Sequence, residues 1–184
     1  MNKPDLLLKA LDDLNLELKK ENRFIELTIV GSMALYLNGL NFTRMTEDID
    51  YINYEATELF KLITEKIANK YKLPLDWINS RAHEISPLPK DLDSQLKTDN
   101  RYSNINLSYI DTETAIIMKV YAYYMRELEK DLSDLKLLSP TAKQLVKGID
   151  YINEQIKHHH GNKQLKQDSG DIQSYEEFLK NELI

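Results

Sequence analysis

The residues best suited to chemistry are a pair of aspartates in the segment Asp48-Ile49-Asp50-Tyr51-Ile52. Polar and apolar side chains alternate in this segment, which predicts a β-strand. Residues i and i+2 of a strand point to the same face, so Asp48 and Asp50 are expected side by side. Paired carboxylates can converge on Mg²⁺ and leave coordination positions for substrate phosphates. Alternatively, Asp48 is a turn residue and Asp50 a solvated strand residue, because short motifs often occur by chance.

A glycine-serine turn precedes this pair of aspartates. The apolar, β-branched segment 24–30 predicts a strand that runs directly into Gly31-Ser32, and residues 33–38 predict a short helix. Gly31 lets the chain turn sharply, and Ser32 lies where the helix exposes unpaired backbone N–H groups that suit phosphate oxygens. The simpler alternative is a strand-to-helix turn with a serine cap.

Polar side chains also line up on a later predicted helix, from about residue 112 to residue 126. Lys119, Tyr123 and Arg126 share one face of it, because residues three or four apart are neighbours on a helix. This face is either a polar stripe beside the site or a solvated surface, since long cationic side chains commonly lie over apolar surface.

Two further aspartates, Asp131 and Asp134, follow that helix. They either close the site or favour the start of a short helix over residues 131–138 through the helix dipole. Both alternatives are open at the level of the sequence.

The elements that must position these residues are read from hydrophobic spacing and turn residues. Residues 72–101 contain three prolines and no sustained period, which predicts mostly loop with short elements around Trp77. The resulting fold class is α/β (α+β), a small mixed β-sheet flanked by helices. The other predicted elements are helices over residues 4–21 and 55–71, a strand over residues 102–110, a helix that starts at Ser139-Pro140 and reaches about residue 157, and a last short helix ending near residue 183.

The chain is expected to divide near residue 138. Residues 1–138 would form the domain that carries the aspartates, and residues 139–184 a helical C-terminal extension. Within the extension, residues 158–171 are polar and contain two glycines, which predicts a flexible linker.

Composition narrows the classes of protein to consider. The 184 residues contain no cysteine, which excludes disulfides, thiolate metal sites and a cysteine nucleophile. No run of about 18 apolar residues would span a membrane, and the start lacks the pattern of a secretory signal, so we expect a cytoplasmic protein. The net charge of -6 argues against an extended surface that tracks nucleic-acid phosphates, although a local basic patch could still contact RNA.

The spaced combination of motifs resembles a known superfamily. Val30-Gly31-Ser32-Met33-Ala34-Leu35 followed by Arg44-x-Thr46-x-Asp48-Ile49-Asp50 looks like the signature of the nucleotidyltransferases that include DNA polymerase beta. The chain most resembles the small bacterial nucleotidyltransferase-like proteins of abortive-infection and type IV toxin-antitoxin systems. Residues 73–79 and 118–134 also look like that group, so the resemblance covers about residues 24–138.

The resemblance implies a nucleotidyltransferase fold and a set of roles. It puts Mg²⁺ at the catalytic carboxylates, a nucleoside triphosphate on the glycine-serine turn, and Lys119 at the nucleotide as a further contact. The expected assignments are catalytic and metal-binding roles for Asp48 and Asp50, nucleotide contacts from Gly31, Ser32, Arg44, Thr46 and Lys119, and additional roles for Asp76, Arg126, Asp131 and Asp134.

The sequence departs from the family pattern at one place. Active members usually supply a third carboxylate from a neighbouring strand, but the predicted strand 102–110 offers Asn106 and Ser108 and no acid. Asp76 and Asp111 are the nearest acids in sequence order. Loss of a positioned general base typically costs about 10²- to 10⁴-fold in rate.

Two functions follow from these patterns. One is a magnesium-dependent nucleotidyltransferase that moves a nucleoside monophosphate from a nucleoside triphosphate to a hydroxyl of RNA, such as a tRNA end, or of a protein. The other is a catalytically weak nucleotide-binding or interaction module with a cognate toxin or antitoxin partner. The missing acid favours the second, as do tyrosines 121, 123 and 124, which cannot all face inward on one helix.

Overall fold

The computed structural model describes residues 3–40, 46, 48–81, 89, 95–158 and 171–184. By packing, the described residues up to 81 together with residues 95–111 form one compact unit, and those from 112 onwards belong to a second. The predicted boundary at residue 138 follows motifs and composition, and it stays a prediction. Apart from its two end residues, the predicted linker 158–171 lies outside the described residues.

The first unit is built on a mixed β-sheet. The central strand β1 (Ile25–Val30) pairs antiparallel with β2 (Ile49–Ile52), and β2 pairs parallel with the short edge strand β3 (Ile78–Asn79). On the other side, β4 (Leu96–Asp99) forms the second edge and pairs antiparallel with β5 (Ile105–Ile110), which is parallel to β1. Within the described residues the order is β3-β2-β1-β5-β4, which confirms the predicted mixed sheet.

Three helices accompany this sheet. They are α1 (Lys3–Lys20), α2 (Gly31–Leu37), which follows β1 without a break, and α3 (Glu58–Tyr71). Helix α3 begins where Thr57 accepts a hydrogen bond from the backbone N–H of Phe60 at 3.2 Å, which satisfies one of the free donors of the first turn. Hydrophobic spacing predicted α1 and α3, and the glycine-serine turn predicted the short helix that follows it.

Trp77 fixes the segment that leads into β3. Its side chain is fully buried, and its indole N–H donates to the carbonyl oxygen of Thr64 in α3 at 3.0 Å. Its own carbonyl accepts from the backbone N–H of Ile49 at 2.7 Å. The tryptophan therefore ties β3 both to the start of β2 and to a helix, and it positions the residues on either side of it.

The second unit is helical. Its helices are α4 (Thr112–Arg126), α5 (Glu129–Leu138), α6 (Ala142–His158) and α7 (Asp171–Leu183). Their apolar faces meet in one cluster of buried side chains, so α7 belongs to the core of this unit. The cluster contains Ile116, Val120, Tyr121, Leu135, Leu145, Ile149, Tyr151, Ile152, Ile172 and Leu179.

The start of α6 differs from the prediction. Ser139 does not cap α6, because it ends α5 with a left-handed backbone (φ 46°). Thr141 is the capping residue: its hydroxyl oxygen accepts from the backbone N–H of Gln144 at 3.3 Å, and the Gln144 side chain accepts from the backbone N–H of Thr141 at 2.8 Å. This reciprocal pair is a capping box, and it starts the helix two residues later than Pro140 suggested.

Candidate functional site

Asp48 and Asp50 lie at the start of β2. In the sheet Asp50 is directly opposite Val30 of β1 and Asn79 of β3, and Asp48 immediately precedes the strand. Directly opposed residues share a face, so Asp50 and Asn79 point to the same side. The Asn79 side-chain amide donates to Oδ2 of Asp48 at 3.3 Å. Asp50 and Asn79 therefore share one face of the sheet, and the Asn79 amide links this face to Asp48.

Gly31 brings the predicted phosphate turn against Asp50. Its φ of +66° is a left-handed conformation that glycine adopts without a steric penalty. A Cβ at this position would lie 2.8 Å from Oδ2 of Asp50, closer than a carbon and an oxygen can approach. Both the backbone conformation and the contact thus require glycine. Ser32 follows as the second residue of α2.

Thr46 supports the backbone of the aspartate pair. Its hydroxyl donates to the carbonyl oxygen of Asp48 at 3.0 Å, and its side chain is close to fully buried. This contact fixes the chain just before β2, and a nucleotide contact from Thr46 remains a prediction. Arg44 lies outside the described residues.

Arg81, Asn79 and Asp76 form a hydrogen-bonded group around Asp48. The Arg81 Nη2 lies 2.7 Å from Oδ2 of Asp76 and 3.9 Å from Oδ2 of Asp48. The side-chain oxygen of Asn79 accepts from the backbone N–H and the Nε of Arg81 at 3.0 and 3.2 Å. Of the two acids expected to replace the missing third carboxylate, Asp76 thus shares a guanidinium with Asp48.

The sequence singled out Asp76, but Asn79 and Arg81 had no predicted role. Asn79 and Arg81 are two residues apart, as Asp48 and Asp50 are. This spacing is the sequence feature that could have pointed to them. The spacing becomes informative only when the pairing of β3 with β2 is known, because the two segments are far apart in sequence.

No carboxylate of β5 shares the face of Asp50. The β5 residues in register with this face are Asn106, Ser108 and Ile110, and the Ser108 hydroxyl lies 2.9 Å from the hydroxyl of Thr28 on β1. Glu26 also shares the face, but it is four residues from the partner of Asp50, roughly 13 Å along the strand.

The remaining candidate residues form a buried ionic cluster in the second unit. Lys119 Nζ lies 3.1 Å from Oδ1 of Asp131 and 2.6 Å from Oδ2 of Asp134. Arg126 Nη2 lies 2.8 Å from the other oxygen of Asp131. Both carboxylates are buried. The two cations of α4 neutralise these two charges of α5, whose burial without a partner would destabilise the fold. Lys119 and Arg126 share one helix face, as expected, and this face is mostly buried.

Two tyrosines of α4 contact α7, and a third, Tyr121, contacts Tyr151 of α6 edge-on at 5.5 Å. Tyr121 is buried, Tyr123 stacks on Phe178 with ring centroids 6.0 Å apart, and Tyr124 meets Tyr175 edge-on at 5.2 Å. Tyr123 and Tyr124 are half-buried, and the partner that they contact is a helix of the same chain. Sequence spacing alone could not reveal that the last helix covers them.

Among the described residues, no group of three or more His, Cys, Asp or Glu side chains is arranged to hold a metal ion. Nor does any helix in that part of the chain have both the length and the apolar character that a membrane crossing requires.

The mixed sheet flanked by helices puts the protein in the α+β class, which is consistent with a nucleotidyltransferase fold. A family model described as nucleotidyltransferase of unknown function (DUF6036) matches residues 6–181, and the chain belongs to that family. No curated protein and no solved structure is significantly similar to the chain.

Proposed function

We propose that this protein is a magnesium-dependent nucleotidyltransferase of the DNA polymerase beta type. It transfers a nucleoside monophosphate from a nucleoside triphosphate to a hydroxyl of RNA, such as a tRNA end, or of a protein. One observation carries the proposal: Oδ2 of Asp50 lies where a side chain on Gly31 would have to go. This contact joins a candidate metal ligand directly to a candidate phosphate turn.

The donor set around Asp48 and Asp50 fits Mg²⁺. This ion binds oxygen, and proteins usually hold it through one or two carboxylates while substrate phosphates and water complete its coordination. Two carboxylates therefore suffice when a triphosphate is present. When bound, Mg²⁺ supplies positive charge that neutralises the triphosphate and orients it.

The chain's own residues then have distinct tasks. Asp48 and Asp50 hold the metal, and Thr46 and Asn79 hold Asp48 through its carbonyl and carboxylate oxygens. Gly31 and Ser32 offer backbone N–H groups to the phosphates. In the reaction, the acceptor oxygen bonds to the α-phosphorus, the bond from that phosphorus to the bridging oxygen breaks, and pyrophosphate leaves. The acceptor proton passes to a base or to water.

The biological setting we propose follows the resemblance of the motifs. The protein would act in the bacterial cytoplasm as part of a toxin-antitoxin or phage-defence system, with a cognate toxin or antitoxin as its partner. Lys119 would be a further nucleotide contact, and the cluster of Lys119, Arg126, Asp131 and Asp134 would support that role by fixing the lysine side chain.

One observation favours a second function, a nucleotide-binding module with little catalysis. On the face of Asp50, β5 presents Asn106 and Ser108 where a third carboxylate is expected, and the Ser108 hydroxyl contacts Thr28. A hydroxyl paired in this way is a poor general base. Catalysis would then depend on Asp76, whose carboxylate shares Arg81 with Asp48.

The two functions are separated by labelled transfer. The protein is incubated with Mg²⁺, each of the four nucleoside triphosphates labelled at the α-phosphate, and a mixture of cellular RNA and protein. Label in the RNA fraction identifies a nucleic-acid acceptor, and label in the protein fraction a protein acceptor. Binding of the same nucleotides is measured in parallel by calorimetry.

Three variants accompany this experiment. Asp48→Asn and Asp50→Asn should lower transfer by at least about 10²-fold, because each removes a metal ligand. Glu58→Gln removes an exposed carboxylate of the same unit that pairs only locally with Lys61, and it should transfer like wild type. Binding without transfer by wild type would establish the second function. Transfer that is equal in all four proteins would contradict the assignment of Asp48 and Asp50.

A further inference from the structure

Arg81 places a positive charge next to Asp48. Its Nη2 lies 3.9 Å from Oδ2 of Asp48, the oxygen that also accepts from Asn79. The same nitrogen lies closer, at 2.7 Å, to Oδ2 of Asp76. The guanidinium thus lies between two carboxylates, and one of them is a proposed metal ligand.

Asn79 holds the backbone N–H and the Nε of Arg81, and the Arg81 side chain stays accessible to water. The Asn79 oxygen accepts from both the backbone N–H and the Nε of Arg81, which orients the guanidinium plane. The side chain of Arg81 is 57% exposed, and that of Asp76 is 56% exposed. Ion pairs this accessible to water are weak, so other acceptors can replace them at little cost.

A nucleoside triphosphate bound at Asp48 and Asp50 would bring such an acceptor. Phosphate oxygens match the planar guanidinium as well as a carboxylate does, and they carry more charge. A metal ion on Asp48 would at the same time repel Arg81 from that carboxylate, because both are cations. Both effects move the guanidinium away from the aspartates and towards the phosphates.

We propose that Arg81 is a positioning residue with two partners: it neutralises Asp48 and Asp76 in the substrate-free protein, and it contacts the triphosphate when nucleotide binds. Asn79 holds the stem of the side chain in both states. The inference rests on the proposed function, because it requires nucleotide and metal at Asp48.

Two opposite effects of Arg81→Gln follow. Nucleotide binding in the presence of Mg²⁺ should weaken by about tenfold, since one charge-assisted phosphate contact is lost. Binding of a divalent metal alone should tighten by about threefold, since a competing cation beside Asp48 is removed. A residue with a purely structural role would not move these two affinities in opposite directions.

The experiment uses the full chain and two probes. Mn²⁺ alone is titrated and followed by electron paramagnetic resonance, and a nucleoside triphosphate with a methylene bridge between its α- and β-phosphorus is titrated with Mg²⁺ in a calorimeter. Arg81→Lys keeps the charge and should recover most of the nucleotide affinity while metal binding stays as in wild type.

Arg101→Gln is the matched control. Arg101 is 51% exposed, belongs to the same unit and pairs with Asp99, two residues before it. It precedes β5, whereas Asp50 is opposite the last residue of the parallel strand β1, so it lies at the other end of the sheet. Both titrations of this variant should match wild type.

The outcomes separate the inference from the proposed function. Weaker nucleotide binding with tighter Mn²⁺ binding in Arg81→Gln alone supports the inference. If wild type binds nucleotide and Arg81→Gln gives the same two affinities, the inference is overturned and the proposed function stands. If wild type binds neither probe, the proposed function is overturned, and the inference falls with it.

Discussion

At the scale of single residues, Gly31 gives the sharpest test of the site. Gly31→Ala forces a non-glycine residue into φ +66°, which costs about 1–2 kcal/mol, and its methyl group meets Oδ2 of Asp50 at 2.8 Å. The aspartate must therefore move. We expect both a lower free energy of unfolding in urea and weaker nucleotide binding in calorimetry.

Gly39→Ala separates these two effects. Gly39 also has a positive φ, +85°, but a Cβ there would have no atom of the described residues within 4 Å. The free energy of unfolding of this variant should also fall by about 1–2 kcal/mol, because of the left-handed backbone, and its nucleotide binding should stay as in wild type. Equal nucleotide affinities in the two alanine variants would show that the contact with Asp50 does not matter for the site.

Tyr102 offers a test of what a buried polar group contributes to stability. Its hydroxyl is buried and has no hydrogen-bond partner among the described residues. Removing an unsatisfied hydroxyl should be nearly neutral or stabilising, so Tyr102→Phe should unfold within about 1 kcal/mol of wild type at pH 7. In contrast, Tyr175→Phe removes a hydroxyl that donates to the Val120 carbonyl at 2.8 Å, and it should lose about 1–3 kcal/mol.

The same tyrosine predicts a pH dependence. Burial raises the pKa of Tyr102 to about 12 from the ordinary value of 10.0. Between these values the unfolded chain has lost the proton that the folded chain keeps. The free energy of unfolding is therefore unaffected by this group below pH 10, and it falls as the pH rises towards 12. Urea unfolding at several pH values should show a steeper decline for wild type than for Tyr102→Phe. Parallel declines would contradict the raised pKa.

Residue types and spacing predicted only part of the candidate site. Gly31, Asp48 and Asp50 are close in sequence, so local periodicity was enough to suggest that they meet. Asn79 and Arg81 reach Asp48 only because β3 pairs with β2 in one particular register. Trp77, next to β3, is buried and donates to Thr64 of α3, and this is a tertiary contact that no local pattern contains.

At the scale of elements, long amphipathic segments were predicted well, and the edge strand β4 was not. Helices such as α1 and α3 bury a continuous stripe, and this stripe is visible as a period in the sequence. Strand β4, Leu96–Asp99, lies in a segment predicted to be mostly loop. Its pairing with β5 supplies the backbone hydrogen bonds, while its central side chains stay exposed, so hydrophobic alternation was absent.

The pairing of α4 with α5 can be tested through Asp131. This carboxylate is buried and contacts both Lys119 and Arg126. Asp131→Asn removes the charge that both cations share, and breaking a buried ion pair in this way typically costs about 3–5 kcal/mol. We expect a loss of that size in urea unfolding. Glu129→Gln, an exposed change in the first turn of the same helix, should alter stability by less than about 0.5 kcal/mol.

The size of this loss also bears on the role of the cluster. A loss below about 1 kcal/mol would mean that Asp131 is not needed to hold the two helices together. A full loss with nucleotide affinity preserved at low temperature, where the variant stays folded, would favour a structural role.

At the scale of the whole molecule, charge limits how an RNA acceptor is recognised. With 24 basic and 30 acidic residues the net charge is -6, so the chain as a whole repels a polyanion. Proteins that neutralise six to ten phosphates lose about 10³- to 10⁵-fold in affinity between about 50 and 200 mM salt. The RNA affinity of an acidic protein that contacts only the end of an RNA should depend less on salt, because few counterions are released on binding.

We therefore expect transfer of label to RNA, if RNA is the acceptor, to depend weakly on salt. Across the same range of salt the ratio kcat/KM for RNA should fall by less than about tenfold, corresponding to one or two phosphate contacts. The control is transfer to a short hydroxyl-bearing acceptor without phosphates, which reports the effect of salt on nucleotide binding alone. A decline of several hundredfold for RNA but not for this acceptor would reveal an extended basic surface, and it would contradict recognition limited to the acceptor's end.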